Sequence, residues 1–271
     1  MLEASRRWRL KGCSIGLVPT MGALHAGHLS LVKRARVENA VVVVSAFVNP
    51  LQFGAGEDFN RYPRDPGRDE GLLGEALVDA VYRPPVEAMY PPGATTRIHV
   101  GAVAEPLEGT SRPGHFEGVA TIVTKLFAAV EPDRAYFGQK DAQQVAVVRR
   151  LAQDLDLGVE VLACPTVREV GGLALSSRNA YLSPQERLAA GSLSSALKLA
   201  ADAFAAGERD PNRLRAALRT RLEAEPLARI DYAEVVDPET FSSPGRLAVV
   251  AVWIGKTRLI DNHDLTESFP G

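Results

Sequence analysis

Cysteine is scarce: Cys13 and Cys164 are the only two in 271 residues. Two thiols cannot build a disulfide framework, and their scarcity fits a reducing compartment. An excess of one charge sign is also missing, with 31 Lys and Arg against 33 Asp and Glu, a formal net charge of -2. That balance speaks against a nucleic-acid or anionic-membrane binder, although it leaves room for a local basic pocket. No apolar run approaches the roughly 18 residues of a membrane span. Residues 1–8 carry charge without an apolar core, so a secretory signal is not expected. The expectation is a cytoplasmic protein with neither membrane nor nucleic-acid partners.

Several catalytic signatures are absent too. Gly255-Lys256-Thr257 ends like a phosphate-binding loop, but Val250 stands where the leading glycine belongs. Gly54-Ala-Gly-Glu-Asp-Phe59 begins like a dinucleotide loop and puts Phe59 where the third glycine must admit helix–strand packing. There is no nucleophile elbow, no HExxH and no CxxC. A covalent Ser or Cys mechanism and a closed zinc site therefore have no support.

What remains is an alternation of short apolar runs and helical patterns, in a chain 46% hydrophobic and 24% charged, the ordinary globular balance. Residues 14–19 and 40–48 read as buried strands. The second, Ala40-Val-Val-Val-Val-Ser-Ala-Phe-Val48, is uncharged on both faces, as parallel strands between helix layers must be. Helical spacing follows at 29–37, 69–76, 118–130 and 141–154, with apolar runs at 77–82, 135–137 and 159–164 between. This predicts an α/β fold, a doubly wound Rossmann-like parallel sheet built from right-handed βαβ units. The pattern changes near 167–179. Two helices at 184–206 and 212–223, the first with Ser183 as N-cap and Gly207 as its stop, then precede three apolar runs at 231–236, 247–254 and 257–260. The expected division is 1–170 for the sheet domain and 171–271 for a smaller C-terminal α+β domain.

The strongest motif is Val18-Pro-Thr-Met21-Gly22-Ala-Leu-His25-Ala-Gly27-His28. It joins the first strand to the first sheet-covering helix, the usual ligand crevice of a doubly wound sheet. A helix starting near Gly27 would aim its first amides at an anion. His25 and His28, three residues apart, would project to one side. Gly22 and Gly27 would let a phosphate chain approach the backbone. Polar turn residues are the plain reading of an isolated HxxH pair; this strand–turn–helix setting favours a polyphosphate site. A zinc pair would need a third ligand, and none is suitably spaced.

This string resembles the HIGH-type signature of adenylyl-transferring nucleotidyltransferases, in the extended form of the pantothenate synthetase (pantoate–β-alanine ligase) family. Further matches follow in order: Phe47-Val-Asn49-Pro-Leu-Gln52-Phe-Gly54, Arg61-Tyr62-Pro-Arg64, Arg112-Pro-Gly-His-Phe116, Gly138-Gln-Lys140-Asp141-Ala-Gln-Gln144, and Gly172-Leu-Ala-Leu175-Ser176-Ser177-Arg178-Asn179. The resemblance covers nearly the whole chain. It implies ATP-dependent condensation of pantoate with β-alanine through a pantoyl adenylate, consistent with the missing protein nucleophile. It also implies a homodimer, and Mg2+ arriving with ATP rather than in a protein metal site.

Under that resemblance His28, His25, Lys140, Ser176 and Arg178 form the catalytic set. Met21, Gly27, His28, Gly138, Lys140, Asp141, Val167, Leu175, Ser176, Ser177 and Arg178 contact ATP, while Asn49, Gln52 and Gln144 face pantoate. Gln52 would also meet β-alanine. Uncharged amides suit an acid whose carboxylate must stay nucleophilic. Lys140 suits charge developing on phosphate, and Asp141 either a helix cap or ribose hydroxyls. Arg112 reads as a polar loop residue at a lid or dimer contact, His115 as structural. Leu175 departs from the methionine often found before the two serines, which puts the packing of that loop on adenine in question. Two alternatives stay open: a transferase that leaves its nucleotide on the product, and a non-catalytic nucleotide-binding regulator.

Overall fold

The computed structural model describes residues 1–270. The helices are α1 (Leu2–Leu10), α2 (Ala26–Glu38), α3 (Pro66–Glu75), α4 (Val86–Met89), α5 (Glu108–Ser111), α6 (His115–Val130), α7 (Ala142–Asp154), α8 (Pro184–Ala205) and α9 (Pro211–Glu223). The strands are β1 (Ile15–Thr20), β2 (Val41–Ala46), β3 (Ala80–Tyr82), β4 (Arg134–Gly138), β5 (Glu160–Cys164), β6 (Ala228–Val236), β7 (Leu247–Ile254) and β8 (Thr257–Asp264). The first five form a parallel sheet in the order β3-β2-β1-β4-β5. This is the doubly wound α/β arrangement that the alternating pattern predicts. Its central strand pair, β1 and β4, marks the point where strand order reverses, and ligands bind beyond the carboxyl ends of strands at such a point. The histidine motif follows β1; Gly138 ends β4.

β2 is buried at every position because helices cover both faces, so Val41 to Val44 need no polar alternation. Under it, Leu31, Val32 and Ala35 of α2 pack with Val42, Val44, Leu24 and Tyr136.

The apolar run at 77–82 yields a strand only from Ala80. Leu77 adopts a left-handed backbone (φ 55°) at the end of α3 and is exposed, so residues 77–79 belong to the helix stop. α1 lies where no helix was expected. It is tied by the Arg9 guanidinium to the Glu131 carbonyl, with Nε at 3.0 Å and Nη2 at 2.6 Å, a long-range bond that local spacing does not announce.

The C-terminal layer pairs α8 and α9 with an antiparallel sheet, β6-β7-β8. Leu214, Leu218 and Leu222 repeat every fourth residue along α9 and bury with Leu193, Leu197, Val250 and Val252. Ser183 caps α8 as expected: its Oγ accepts from Glu186 N at 3.3 Å, and the Glu186 carboxylate accepts from Ser183 N at 2.9 Å.

The chain divides into two compact units, Met1–Gly138 with Gln144–Pro165, and Gln139–Gln143 with the chain from Thr166 onward. The short segment after β4 thus belongs with the second unit, a division that no local pattern around residue 170 foretells.

Candidate functional site

In the first unit, α2 begins at Ala26 with His25 as its N-cap. His25 Nδ1 accepts from Gly27 N at 3.2 Å, and His28 Nδ1 accepts from His25 N at 3.3 Å. The two rings lie 4.0 Å apart between centroids, tilted by 35°. With each Nδ1 accepting a backbone N–H, a neutral ring carries its proton on Nε2. Both imidazoles are thereby oriented as Nε2–H donors. The Gly27 amide is thus engaged by the His25 ring.

The turn ahead of the pair is shaped from α3. The buried Asp69 carboxylate accepts from Ala23 N at 2.9 Å and Leu24 N at 2.8 Å. Arg68 Nη1 donates to the Leu24 carbonyl at 3.0 Å. Those bonds hold Gly22 and Ala23 with positive φ, 82° and 51°. Glycine tolerates that conformation; alanine needs the fixed surroundings.

Asn49 and Gln52 sit on a 3-10 turn, Pro50–Gln52, just past β2. Asn49 is 1% exposed and uses its whole amide within the protein. Nδ2 donates to Gln52 Oε1 (3.2 Å) and Gly118 O (3.0 Å); Oδ1 accepts from Leu51 N (3.3 Å) and Tyr90 Oη (2.8 Å). Two donors and two lone pairs are then committed, so Asn49 aims Gln52. Burial pushes the Tyr90 phenol up to about 12 and keeps it a donor. Gln52 itself is part-exposed, and its Nε2 reaches Met21 Sδ at 3.0 Å, bringing two expected ligand residues together.

The Gln52 backbone is clamped from the other side. His115 Nδ1 donates to Gln52 O at 2.8 Å, Arg112 Nη2 donates to the same oxygen at 3.3 Å, and Arg112 Nη1 meets His115 Nε2 at 3.0 Å. Burial, then the Arg112 charge, push the His115 pKa down to about 4. The ring is neutral at pH 7, a donor at Nδ1 and an acceptor at Nε2. Arg112 also forks onto Glu57 at 2.7 and 2.8 Å. Burial raises the Glu57 pKa, but Arg112's hydrogen bonds and charge outweigh it, leaving that carboxylate below its ordinary value. Sequence reasoning missed this clamp; its parts lie 55 to 63 residues apart.

The second unit holds the remaining ATP candidates other than Gly138. Lys140 and Asp141 lie in a 3-10 turn, Gln139–Asp141, and pair at 3.6 Å. α7 starts only at Ala142, after that turn. Val167 and Leu175 face each other across a tight hairpin, Leu175 N donating to Val167 O at 2.9 Å. Val167 is part-exposed, as a nucleotide contact requires and a core valine does not. Ser176 caps the 3-10 turn Ser177–Tyr181, its Oγ accepting from Arg178 N at 3.2 Å. Ser177 and Arg178 are likewise part-exposed, as are Gly138 and Gln144, which belong to the first unit.

The fold and these residues define a class: a doubly wound α/β protein with a paired-histidine turn after its first strand and an appended α+β layer. Its relatives make the family specific. The family model for pantoate–β-alanine ligase matches residues 1–264. A pantothenate synthetase of Rubrobacter xylanophilus is 57% identical over 97% of this chain and 95% of that protein. The crystal structure of pantothenate synthetase from Thermus thermophilus superposes with a TM-score of 0.90 at 51% identity, covering 93% of both chains. That of pantoate–β-alanine ligase from Francisella tularensis, complexed with β,γ-ATP and β-alanine, gives 0.80 at 34% identity over 99% of this chain and 97% of that one. The chain belongs to the pantoate–β-alanine ligase family.

Proposed function

We propose that this protein joins (R)-pantoate to β-alanine at the expense of ATP, giving pantothenate, AMP and pyrophosphate. The pantoate carboxylate attacks the α-phosphorus of ATP, a P–O bond forms, and the bond to the β-phosphate oxygen breaks. The amine of β-alanine then attacks the carbonyl of the pantoyl adenylate, loses a proton, and AMP departs with the former carboxylate oxygen. No side-chain nucleophile is required. Catalysis is positioning and charge stabilisation.

The observation that carries this reading is the histidine pair, whose Nδ1 atoms are spent on backbone amides so that both rings are oriented as Nε2–H donors. His28, supported by His25, hydrogen-bonds the oxygen leaving the α-phosphorus. Lys140, Ser176 and Arg178 take charge on the departing pyrophosphate; Met21, Gly27, Gly138, Asp141, Val167, Leu175 and Ser177 complete the nucleotide contacts. Gln52 and Gln144 hold pantoate, Gln52 also meets β-alanine, and Asn49 acts through Gln52. Among the described residues no group of three or more His, Cys, Asp or Glu gathers to hold a metal. Mg2+ enters with ATP, bound chiefly by phosphate and water oxygens. The working form is a cytoplasmic homodimer.

Pantoate labelled with 18O in its carboxylate tests the reaction. The expected result is one labelled oxygen in AMP and none in pyrophosphate. A product that keeps the nucleotide would favour a nucleotidyltransferase instead, and pantoate-independent nucleotide binding without turnover would favour a regulator.

A further inference from the structure

We propose that Asn262, with Asp261 beside it, is a positioning residue for ATP activation, fixing in one frame the Lys140 turn and the loop that carries Ser176, Ser177 and Arg178. The inference rests on the assignment of Lys140 to the triphosphate.

Asn262 and Asp261 lie on β8, 5% and 3% exposed respectively, and successive strand residues point to opposite sides. Asn262 Nδ2 donates to the carbonyl oxygens of Gln139 and of Lys140, each at 2.9 Å. A single buried amide thus spends both of its hydrogens on the turn that presents the Lys140 side chain. Its Oδ1 is buried without a hydrogen-bond partner among the described residues. Such an oxygen costs stability, yet rotating the amide would set it against two carbonyl oxygens. The turn dictates the orientation.

Asp261 acts in the other direction. Its carboxylate takes Arg168 in a fork, Nη1 at 2.6 Å and Nη2 at 3.0 Å, and also accepts from Asn262 N at 2.8 Å. Arg168 Nη1 returns to Gly172 O at 2.9 Å, closing a hairpin in which Arg168 pairs with Ala174. Ser176 follows two residues later. A forked guanidinium–carboxylate pair fixes direction as well as distance. Two adjacent strand residues therefore hold two segments that the sequence separates by more than twenty residues, and this accounts for Gln139–Gln143 clustering with the second unit.

A displacement of about 1 Å at a catalytic group lowers rate on the order of a hundredfold. The test is pantoate-dependent pyrophosphate release without β-alanine, in wild type, Asn262→Ala, Asn262→Ser, Lys140→Ala and the Asn262→Ala/Lys140→Ala double variant, with thermal melting of each. Asn262→Ala is expected to release pyrophosphate roughly a hundredfold more slowly at saturating pantoate, with the half-saturating pantoate concentration unchanged. Asn262→Ser, which keeps one donor, should lose less. Pantoyl adenylate supplied from outside should react with β-alanine at the wild-type rate, because no pyrophosphate leaves in that step. In the double variant the two losses should not multiply, since both pass through Lys140. A folded Asn262→Ala at wild-type rate beside a crippled Lys140→Ala overturns the proposal alone, as do losses that multiply. Lys140→Ala at wild-type rate overturns the Lys140 assignment as well. Should Asn262→Ala not fold, Asn262→Ser decides: slower pyrophosphate release supports the proposal, and an unchanged rate overturns it.

Discussion

The turn bearing Gln52 and the hairpin leading to Ser176 are held by different means. Around Gln52 the fixing groups are uncharged amides, a phenol and a neutral imidazole, joined to one arginine whose charge is answered by Glu57. Around the hairpin they are ionic: Arg168 forks onto Asp261, and Arg187 pairs with Glu169 at 2.6 Å while Asn179 donates to the same carboxylate. On the proposed assignment, a carboxylic acid that must remain a nucleophile would meet uncharged amides there. On the same assignment, a triphosphate would meet Lys140 and Arg178 on segments framed by balanced ion pairs. In each region the residue assigned to ligand, Gln52 or Lys140, is part-exposed, while its neighbouring support, Asn49 or Asn262, is buried.

The sharpest way to break this comparison is to remove the group assigned to chemistry and leave the frame. His28→Ala should slow adenylate formation roughly a hundredfold to a thousandfold, the usual cost of one pre-organised donor, in a protein that still folds. Rapid-quench measurement of pyrophosphate reads it directly.

Next in size is a change to the frame around Gln52. A Cβ at Gly118 would stand 2.5 Å from the Leu51 carbonyl carbon and 2.6 Å from Gln52 N, and would collide with Leu51 O. Gly118→Ala should therefore raise the KM for pantoate about tenfold, part of the roughly hundredfold range of a misplaced site. Overpacking should also lower stability by about 1–3 kcal/mol. Unchanged steady-state kinetics would separate α6 from the pantoate end.

The clamp also has a pH signature. His115 has a folded pKa near 4, below the ordinary 6.5, so the unfolded chain binds the extra proton first. Its contribution to stability is present above pH 6.5 and is lost as pH falls from 6.5 towards 4, about 3 kcal/mol in all. His115→Asn, which keeps a donor near Gln52 O, should flatten that stretch of the stability–pH curve in denaturant titrations. An unchanged slope there would assign the acid sensitivity elsewhere.

The smallest effect lies in the second unit. Ser183→Ala removes the α8 cap and should cost about 1 kcal/mol by denaturant midpoint while leaving turnover alone.

What could be read in advance follows from range. The Val-rich β2, the stripe of α9 and the cap at Ser183 are spelled by neighbours within a few residues, and they appear where periodicity and capping place them. The histidine pair and the motifs that follow it are where the resemblance places the ligand-facing residues. The buried supports are illegible: Asn262 reaches Lys140 across 122 positions and His115 reaches Gln52 across 63. The partners of Asn49 are equally hidden, Tyr90 lying 41 and Gly118 69 positions away.

The central claim is that His28 does its chemistry through Nε2–H, while its Nδ1 merely caps α2. His28→Asn separates the two, since the asparagine oxygen can replace Nδ1 toward His25 N but nothing replaces Nε2. Measured by single-turnover pyrophosphate release and by thermal melting, the variant should melt like the wild type and form adenylate roughly a hundredfold or more slowly. A variant that melts normally and forms adenylate at the wild-type rate would contradict the account.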